Sequence, residues 1–245
     1  MDSETPTTKG ISVTLQDQRV VVLGGTSGIG LATAQLAAAQ GAAVIVASSN
    51  PESVQRALAT LPDSATGAAV DLTDPAAVSA FFAGLDPFDH LAFTAGEALT
   101  LLEVGSMDLA QARSAFQLRY FGALGAVSAA VPRLRPGGSV VLTTGAAADR
   151  PGPGWSIAAS ICGAMDSLTR ALAVELAPLR VNAVKPGVVR TPLWRGALEY
   201  DEIAGHLPVQ RIGEPEDIAA AYVYLMNQPY ATGSIVSVDG GHVLV

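Results

Sequence analysis

The chain has 245 residues, of which 49% are apolar and 15% are charged, with a formal net charge of −8. Such a composition can bury a large core, which excludes a disordered protein, and the acidic balance does not supply the basic face that nucleic acid requires. The acidic charge therefore predicts no nucleic-acid partner. One Cys excludes a disulfide within the chain and a Cys-based metal site, so we expect no bound metal.

The first ten residues are polar and acidic, and they predict a flexible N-terminal tail over 1–10. They have neither the basic nor the apolar region of a secretory signal. An uninterrupted apolar run of about 18 residues, which a membrane span would need, does not occur. We therefore expect a cytoplasmic protein with no membrane partner.

Strands and helices alternate from residue 11 to residue 245 and predict one domain. The predicted strands cover 19–24, 42–47, 66–70, 90–94, 139–144, 180–184 and 234–238. The predicted helices cover 28–40, 51–61, a segment that begins at Asp74-Pro75, 107–131, 155–177 and 215–227. An irregular insertion over about 192–210 is predicted to form a substrate loop. The nearly continuous apolar strands favour an α/β Rossmann-like fold, a doubly wound parallel sheet in three α/β/α layers.

A glycine-rich turn joins the first strand to the first helix, as Gly24-Gly-Thr-Ser-Gly-Ile-Gly30. Gly24 permits the tight turn, Gly28 allows the backbone to approach a diphosphate, and Gly30 allows the helix to pack closely on the sheet. The helix N-terminus then presents free N–H groups to the anion. The predicted cofactor contacts in this turn are Gly24, Thr26, Ser27, Gly28, Ile29 and Gly30.

The end of the second strand indicates which dinucleotide is preferred. An acid placed there would bind the adenosine ribose and repel a 2′-phosphate, but the sequence has Ser48, Ser49 and Asn50 instead. These side chains can donate hydrogen bonds to a 2′-phosphate, which favours NADP(H) over NAD(H). Asn50 followed by Pro51 is also typical of a helix N-cap, and the two interpretations are compatible.

With these residues in place, the sequence resembles the short-chain dehydrogenases/reductases over nearly the whole chain. The resemblance includes Asp71-Leu72, the half-kept motif Phe93-Thr94-Ala95-Gly96, the segment from Pro186-Gly187 to Thr191, and Val238-Asp-Gly-Gly241. It implies further cofactor contacts at Asp71, Leu72, Ala95, Gly96, Pro186, Gly187, Val188, Val189 and Thr191. It also implies a homodimer or homotetramer through the two long helices, whose small residues are Gly125, Ala129, Ala130, Ala164 and Ala171.

The catalytic residues of that family are replaced in this sequence. Registration places Ala158 and Cys162, or with a shift of one residue Ile157 and Ile161, at the family's Tyr and Lys positions, and neither register supplies the pair. It places Arg119 at the family's Asn position and Thr144 at its Ser position. The segment Pro151-Gly-Pro-Gly-Trp155 resembles an atypical branch of NADP(H)-dependent imine reductases and cyclases that lack the Tyr–Lys pair.

The candidate catalytic residues are therefore Arg119, Thr144 and Trp155, and Glu97, Trp155 and Trp194 are predicted to line the substrate pocket. Each has a structural alternative: an ion pair in an interface for Arg119, a strand end for Thr144, a loop anchor for Trp155 and a solvated acid for Glu97. Cys162 is predicted to be a small buried filler.

The predicted reaction is reduction of a C=N or C=O group in a small organic molecule. The alternatives are a non-redox cyclase or isomerase that binds the dinucleotide, and an inactive subunit.

Overall fold

The computed structural model describes residues 14–97, 101–194 and 200–245, so the predicted tail over 1–10 lies outside the described residues. Seven parallel strands form one sheet in the order β3-β2-β1-β4-β5-β6-β7. The strands are β1 Arg19–Leu23, β2 Ala43–Ser48, β3 Thr66–Ala69, β4 Phe88–Phe93, β5 Leu134–Thr143, β6 Arg180–Pro186 and β7 Ile235–Val238. The order reverses direction between β1 and β4, which makes this point the topological switch of a doubly wound sheet. The predicted fold class is confirmed.

Helices cover both faces of the sheet. They are α1 Gly28–Ala39, α2 Pro51–Leu58, α3 Pro75–Ala83, α4 Leu109–Phe116, α5 Ala123–Ala130, α6 Ser156–Glu175, α7 Tyr200–His206 and α8 Pro215–Asn227. Short 3₁₀ turns occur at Val104–Ser106, Val131–Arg133, Ala146–Ala148 and His242–Leu244. Side chains of α3, α5 and α6 pack on one face of the sheet, and those of α1 and α8 pack on the other.

Three predicted elements differ from the structure. The helix predicted over 107–131 consists of α4, a π-helical turn over Gln117–Gly122, and α5. The π-turn packs closely against the segment that follows β3: a Cβ at Gly122 would be 3.0 Å from the carbonyl oxygen of Leu72. The insertion over 192–210 is not wholly irregular, because it contains α7. Strand β6 extends to Pro186, so that Lys185 lies inside the strand.

Helix α6 is the one described helix that is long and apolar enough, by length and composition, to cross a membrane. Its buried residues include Ile161, Met165 and Leu172, which pack in the core beside the sheet. This packing is typical of the core helix of a globular domain.

A buried histidine lies in the sheet. His90 on β4 is 3% exposed, with Nδ1 2.8 Å from the Ser139 hydroxyl and Nε2 2.5 Å from Oε1 of Gln18. Burial first, and then the charge of Arg180, lower its pKa to about 4, against the opposing effect of Asp89. The imidazole is therefore neutral in the folded protein.

We predict that this histidine makes folding stability depend on pH. Because the folded pKa is below the unfolded value of 6.5, the unfolded chain binds more protons, and stability is lost as the pH falls from 6.5 towards 4. The loss by pH 4.5 is on the order of 2–3 kcal/mol from this group alone. Urea unfolding at pH 7 and pH 4.5 should show a smaller loss in His90→Gln than in the wild type, while His206→Gln on the exposed α7 should match the wild type. Equal losses in all three proteins would contradict the prediction.

Candidate active site

A pocket of about 910 Å³ lies at the carboxyl ends of the strands, beside the switch point between β1 and β4. Its volume is in the upper part of the range for ligand sites, and its position is where doubly wound sheets bind ligands. Nearly all the predicted site residues line it. They are Gly24, Thr26, Ser27, Gly28, Ile29, Gly30, Ser48, Ser49, Asp71, Leu72, Gly96, Glu97, Arg119, Thr144, Trp155, Pro186, Gly187, Val188, Val189, Thr191 and Trp194.

The glycine-rich turn forms a cradle that side chains would fill. Gly24 has φ +82°, and a Cβ there would lie 2.6 Å from the Ala95 backbone. A Cβ at Gly30 would lie 2.2 Å from the carbonyl oxygen of Gly24. The N-cap of α1, Ser27, makes no side-chain capping hydrogen bond, so the first N–H groups of α1 face the pocket without a side-chain cap. This geometry fits the diphosphate of a dinucleotide.

The adenosine end of the pocket is bounded by β2 and β3. Ser48 and Ser49 line the pocket, but Asn50 lies outside the lining. Its side-chain oxygen instead accepts hydrogen bonds from the backbone N–H groups of Glu52 and Ser53 and caps α2, at 2.8 and 3.2 Å. Of the three residues predicted to contact a 2′-phosphate, the structure therefore brings two to the site.

Asp71 and Leu72 lie at the same end, on the other side of the opening. The Asp71 carboxylate accepts hydrogen bonds from the Thr73 hydroxyl and backbone N–H, at 2.7 and 2.9 Å, which lower its pKa. The carboxylate is therefore held in one orientation at the rim, while Leu72 is buried. Ala95 contributes backbone rather than lining, because it packs against Gly24.

Arg119 projects from the π-turn into the other end of the pocket. Its Nη2 donates to the backbone carbonyl of Glu97, and among the described residues it forms no ion pair with a carboxylate. A Cβ at Gly96 would lie 2.9 Å from the guanidinium, so this glycine gives Arg119 its space. Burial lowers its pKa, opposed by the charges of Glu97 and Cys162. The guanidinium is a cation that lines the pocket.

Thr144 and Cys162 lie together beside Arg119. The Thr144 hydroxyl donates to the backbone carbonyl of Cys162 at 2.8 Å, so its proton is already committed within the protein. Burial raises the pKa of the Cys162 thiol to about 11, against the lowering effect of Arg119. Both positions thus lack an acid or a base that is ready to exchange a proton near pH 7.

Two tryptophans border the outer part of the pocket. The rings of Trp155 and Trp194 are 6.1 Å apart between centroids and tilted by 43°. Glu97 lies between this part and Arg119, and burial raises the pKa of its carboxyl group while Arg119 opposes the rise. An aromatic wall with an adjacent carboxyl suits a flat organic molecule that carries positive charge.

Comparison with known proteins identifies this architecture. A family model described as enoyl-(acyl carrier protein) reductase matches residues 24–242. The short-chain dehydrogenase/reductase malC of Malbranchea aurantiaca is 32% identical, over 94% of this chain and 96% of its own length. The chain belongs to the short-chain dehydrogenase/reductase superfamily.

Other members of the superfamily match over the same extent. The short-chain dehydrogenase/reductase ATR9 of Stachybotrys chlorohalonatus is 35% identical, over 94% of this chain and 99% of its own length. A small-chain dehydrogenase solved in complex with NADPH has 34% identity, a TM-score of 0.83, and coverage of 94% of this chain and 100% of its own. The MalC reductase/Diels-Alderase of Malbranchea aurantiaca has a TM-score of 0.87, with coverage of 94% and 98%. The predicted superfamily of oxidoreductases is thereby confirmed.

A buried ion cluster under the site was not predicted. Lys185 is 5% exposed, and its ammonium donates to Asp149 at 2.6 Å and to Asp166 at 2.8 Å. Burial alone would lower the pKa of Lys185, but these two hydrogen bonds and charges raise it above its usual value. The cluster ties β6 to α6 and to the loop before Trp155. A charged residue in an apolar strand was the available signal, because a buried lysine needs a partner.

Among the described residues no group of three or more His, Cys, Asp or Glu side chains could hold a metal ion.

We predict that Lys185→Met lowers the free energy of unfolding by about 3–5 kcal/mol, because it leaves the buried Asp166 carboxylate without its cation. Urea denaturation measures this change. The double variant Lys185→Met, Asp166→Leu should recover much of the loss, since it removes both buried charges. Arg56→Met, which removes an exposed ion pair with Glu52, serves as the control and should change stability by less than about 1 kcal/mol. An equal effect of Lys185→Met and Arg56→Met would be inconsistent with this assignment.

Proposed function

We propose that this short-chain dehydrogenase/reductase is an NADP(H)-dependent oxidoreductase with a non-standard active site, and that it reduces a C=N or C=O group of a small organic substrate. One observation supports this most strongly: the pocket that contains the dinucleotide cradle is also lined by a cation, Arg119. A random loss of activity would not be expected to preserve both. The cofactor supplies the hydride when it is bound.

The proton chemistry of the site favours an acceptor that is already activated. A ketone develops an alkoxide on reduction and needs a donor, but the Thr144 proton is held by the Cys162 carbonyl, and the Cys162 thiol is only a weak hydrogen-bond donor. An iminium ion carries its own positive charge, and hydride addition neutralises it without a proton from the protein. Of the two groups, C=N is therefore the better fit.

Each candidate side chain around the substrate has a defined role in this proposal. Arg119 holds an acceptor oxygen of the ribose, the carboxamide or the substrate with its planar set of donors. Trp155 and Trp194 hold the flat part of the substrate and exclude water. Glu97 balances the charge of a cationic substrate and is placed to accept or release a proton at the pocket mouth.

A non-redox reaction is the second candidate, and one observation favours it. A relative with a TM-score of 0.87 is described as both a reductase and a Diels-Alderase. A pocket that orients a substrate without an acid or a base could promote cyclisation by proximity alone.

We predict that NADPH binds at least about tenfold more tightly than NADH, a difference of about 1.4 kcal/mol. The reason is that Ser48 and Ser49 line the adenosine end and can donate to a 2′-phosphate, and that the end of β2 has hydroxyl groups where an acid would repel this phosphate. Ser49→Asp should reverse the preference, because the new charge repels the 2′-phosphate. Gln55→Asp on the exposed face of α2 adds the same charge outside the pocket and should leave the preference unchanged. Fluorescence titration measures the affinity of each of the three proteins for both dinucleotides, and equal affinities of the wild type for the two would refute the prediction.

We predict that NADPH oxidation, followed at 340 nm, occurs with cyclic imines and is weaker or absent with matched ketones. On the best substrate, Arg119→Ala should lower kcat/KM by roughly a hundredfold or more, because losing one well-placed charged donor costs about 2–4 kcal/mol of transition-state stabilisation. Arg119→Lys should rescue only part of the activity, since its single ammonium lacks the planar set of donors.

Three outcomes would decide against parts of this proposal. Near-normal activity of Arg119→Ala would move the catalytic assignment to Thr144 and Glu97. Faster turnover of ketones would reverse the order of the two substrate classes. No oxidation with any imine, ketone or enone would favour the cyclase or the inactive subunit.

We further propose that the protein is a homodimer or homotetramer formed through α4, α5 and α6. Leu109, Phe121 and Val174 are 62, 53 and 81% exposed on these segments, and a Cβ at Gly125 would meet nothing within 4 Å. Such a surface lets helices approach closely across a two-fold axis. Ala130 does not contribute, because it is fully buried in the core. Light scattering should give a multiple of the 24.9 kDa chain mass, and Phe121→Glu should shift it towards one chain; a wild-type monomer would exclude the assembly.

A further inference from the structure

A second cavity of about 280 Å³ opens from the inner end of the dinucleotide pocket. The two cavities share the walls formed by Arg119, Thr144, Ala158 and Cys162, so they are continuous at this point. The second cavity then extends between α4 and α6, away from the cradle. We call it the side chamber.

Small side chains create the side chamber. Ala158 and Cys162 lie one turn apart on α6, and a Cβ at Gly145, across from α6, would be only 3.0 Å from the Cys162 sulfur. Larger residues at positions 158 and 162 would project into this space. The small residues at positions 158 and 162 therefore both replace the family's Tyr and Lys and leave space for the chamber.

The walls of the side chamber differ in chemistry. The α6 wall is apolar, with Ile157, Ile161 and Met165. The α4 wall is polar and carries the exposed side chains of Gln111 and Ser114. Arg119 and the carboxyl group of Glu97 line the chamber as well, so the guanidinium and an acid both face it.

Most N–H groups of Arg119 have no acceptor among the described residues. A guanidinium carries five N–H groups, and the described residues supply the backbone oxygen of Glu97 to one of its nitrogens. Arg119 is half-buried, and a partly desolvated cation that meets a carbonyl rather than a carboxylate is incompletely compensated by the protein itself. An acceptor oxygen on a ligand in the side chamber would complete its coordination.

We propose that the side chamber binds an arm of the substrate that is apolar where it crosses α6 and that ends in a carboxylate or carbonyl oxygen facing Arg119 and Gln111. This inference rests on the proposed function, because it assumes that the substrate's reacting group lies at the inner end of the dinucleotide pocket. It defines the substrate class as a two-part molecule: a flat group between the tryptophans and an oxygen-bearing arm beside α6. A substrate without the arm leaves the chamber to solvent.

The test uses protein loaded with NADP⁺, which has no hydride to give, so binding is measured apart from reduction. The probes are 3,4-dihydroisoquinoline and its derivatives with a propyl, a propanoate or a propanamide arm. Isothermal titration calorimetry should show that the propanoate or the propanamide binds at least about tenfold more tightly than the propyl compound. Tighter binding of the propanoate than of the propanamide would identify an anionic arm, and the reverse order would identify a neutral carbonyl.

Two variants on α4 locate the arm. Ser114→Phe fills the chamber from an exposed helix position and should remove the advantage of the oxygen-bearing arms while leaving the unarmed probe unchanged. Arg113→Phe, also exposed but outside the chamber lining, is the matched control and should change neither affinity. Light scattering of both variants checks that the assembly is the same.

Equal affinities for the three armed probes, failure of every probe to bind, or an equal effect of Ser114→Phe on armed and unarmed probes would overturn the side-chamber proposal. The proposed reductase activity fails separately, if NADPH-loaded protein binds these imines with the arm preference intact but oxidises no NADPH.

Discussion

The structure depends on the close approach of the first turn to its neighbours. A Cβ at Gly24 would be 2.6 Å from the Ala95 backbone, and a Cβ at Gly30 would be 2.2 Å from the carbonyl oxygen of Gly24. This close packing places the start of α1 at the carboxyl ends of β1 and β4. The N–H groups of the helix then face the space where a diphosphate can lie. The other residues of the pocket lie around this turn.

Two cations near the pocket are compensated in different ways. Lys185 has two carboxylates within hydrogen-bond distance and is almost fully buried, so its charge is balanced within the protein. Arg119 has a backbone carbonyl and faces both cavities, so its charge remains to be balanced from outside. The difference explains why we assign a structural part to the lysine and a ligand-binding part to the arginine. A buried charge is costly unless it is paired, and the identity of the partner indicates its use.

Small residues at positions 158 and 162 affect both the chemistry and the shape of the site. They replace the Tyr and Lys that would transfer a proton to a reacting oxygen, which favours a substrate that is already cationic. They also open the side chamber, which favours a larger substrate. One change in side-chain size thus indicates both how the substrate is activated and how it is held.

The sequence by itself determined the fold class and most of the cofactor cradle. Apolar strands that alternate with helices permit little except a parallel sheet covered on both faces, and glycine is required wherever a Cβ would clash, so these features can be read from local patterns. The resemblance to the family also indicated Arg119, Thr144 and Trp155 as site residues, because they stand at or beside positions that the family uses for catalysis. Only the tertiary structure decided that Asn50 caps α2 instead of facing the pocket, that a π-turn directs Arg119, and that Lys185 finds Asp149 and Asp166. Only the tertiary structure showed the side chamber between α4 and α6. These features depend on which distant segments meet, and contacts between segments far apart in the chain leave no periodic pattern in the sequence.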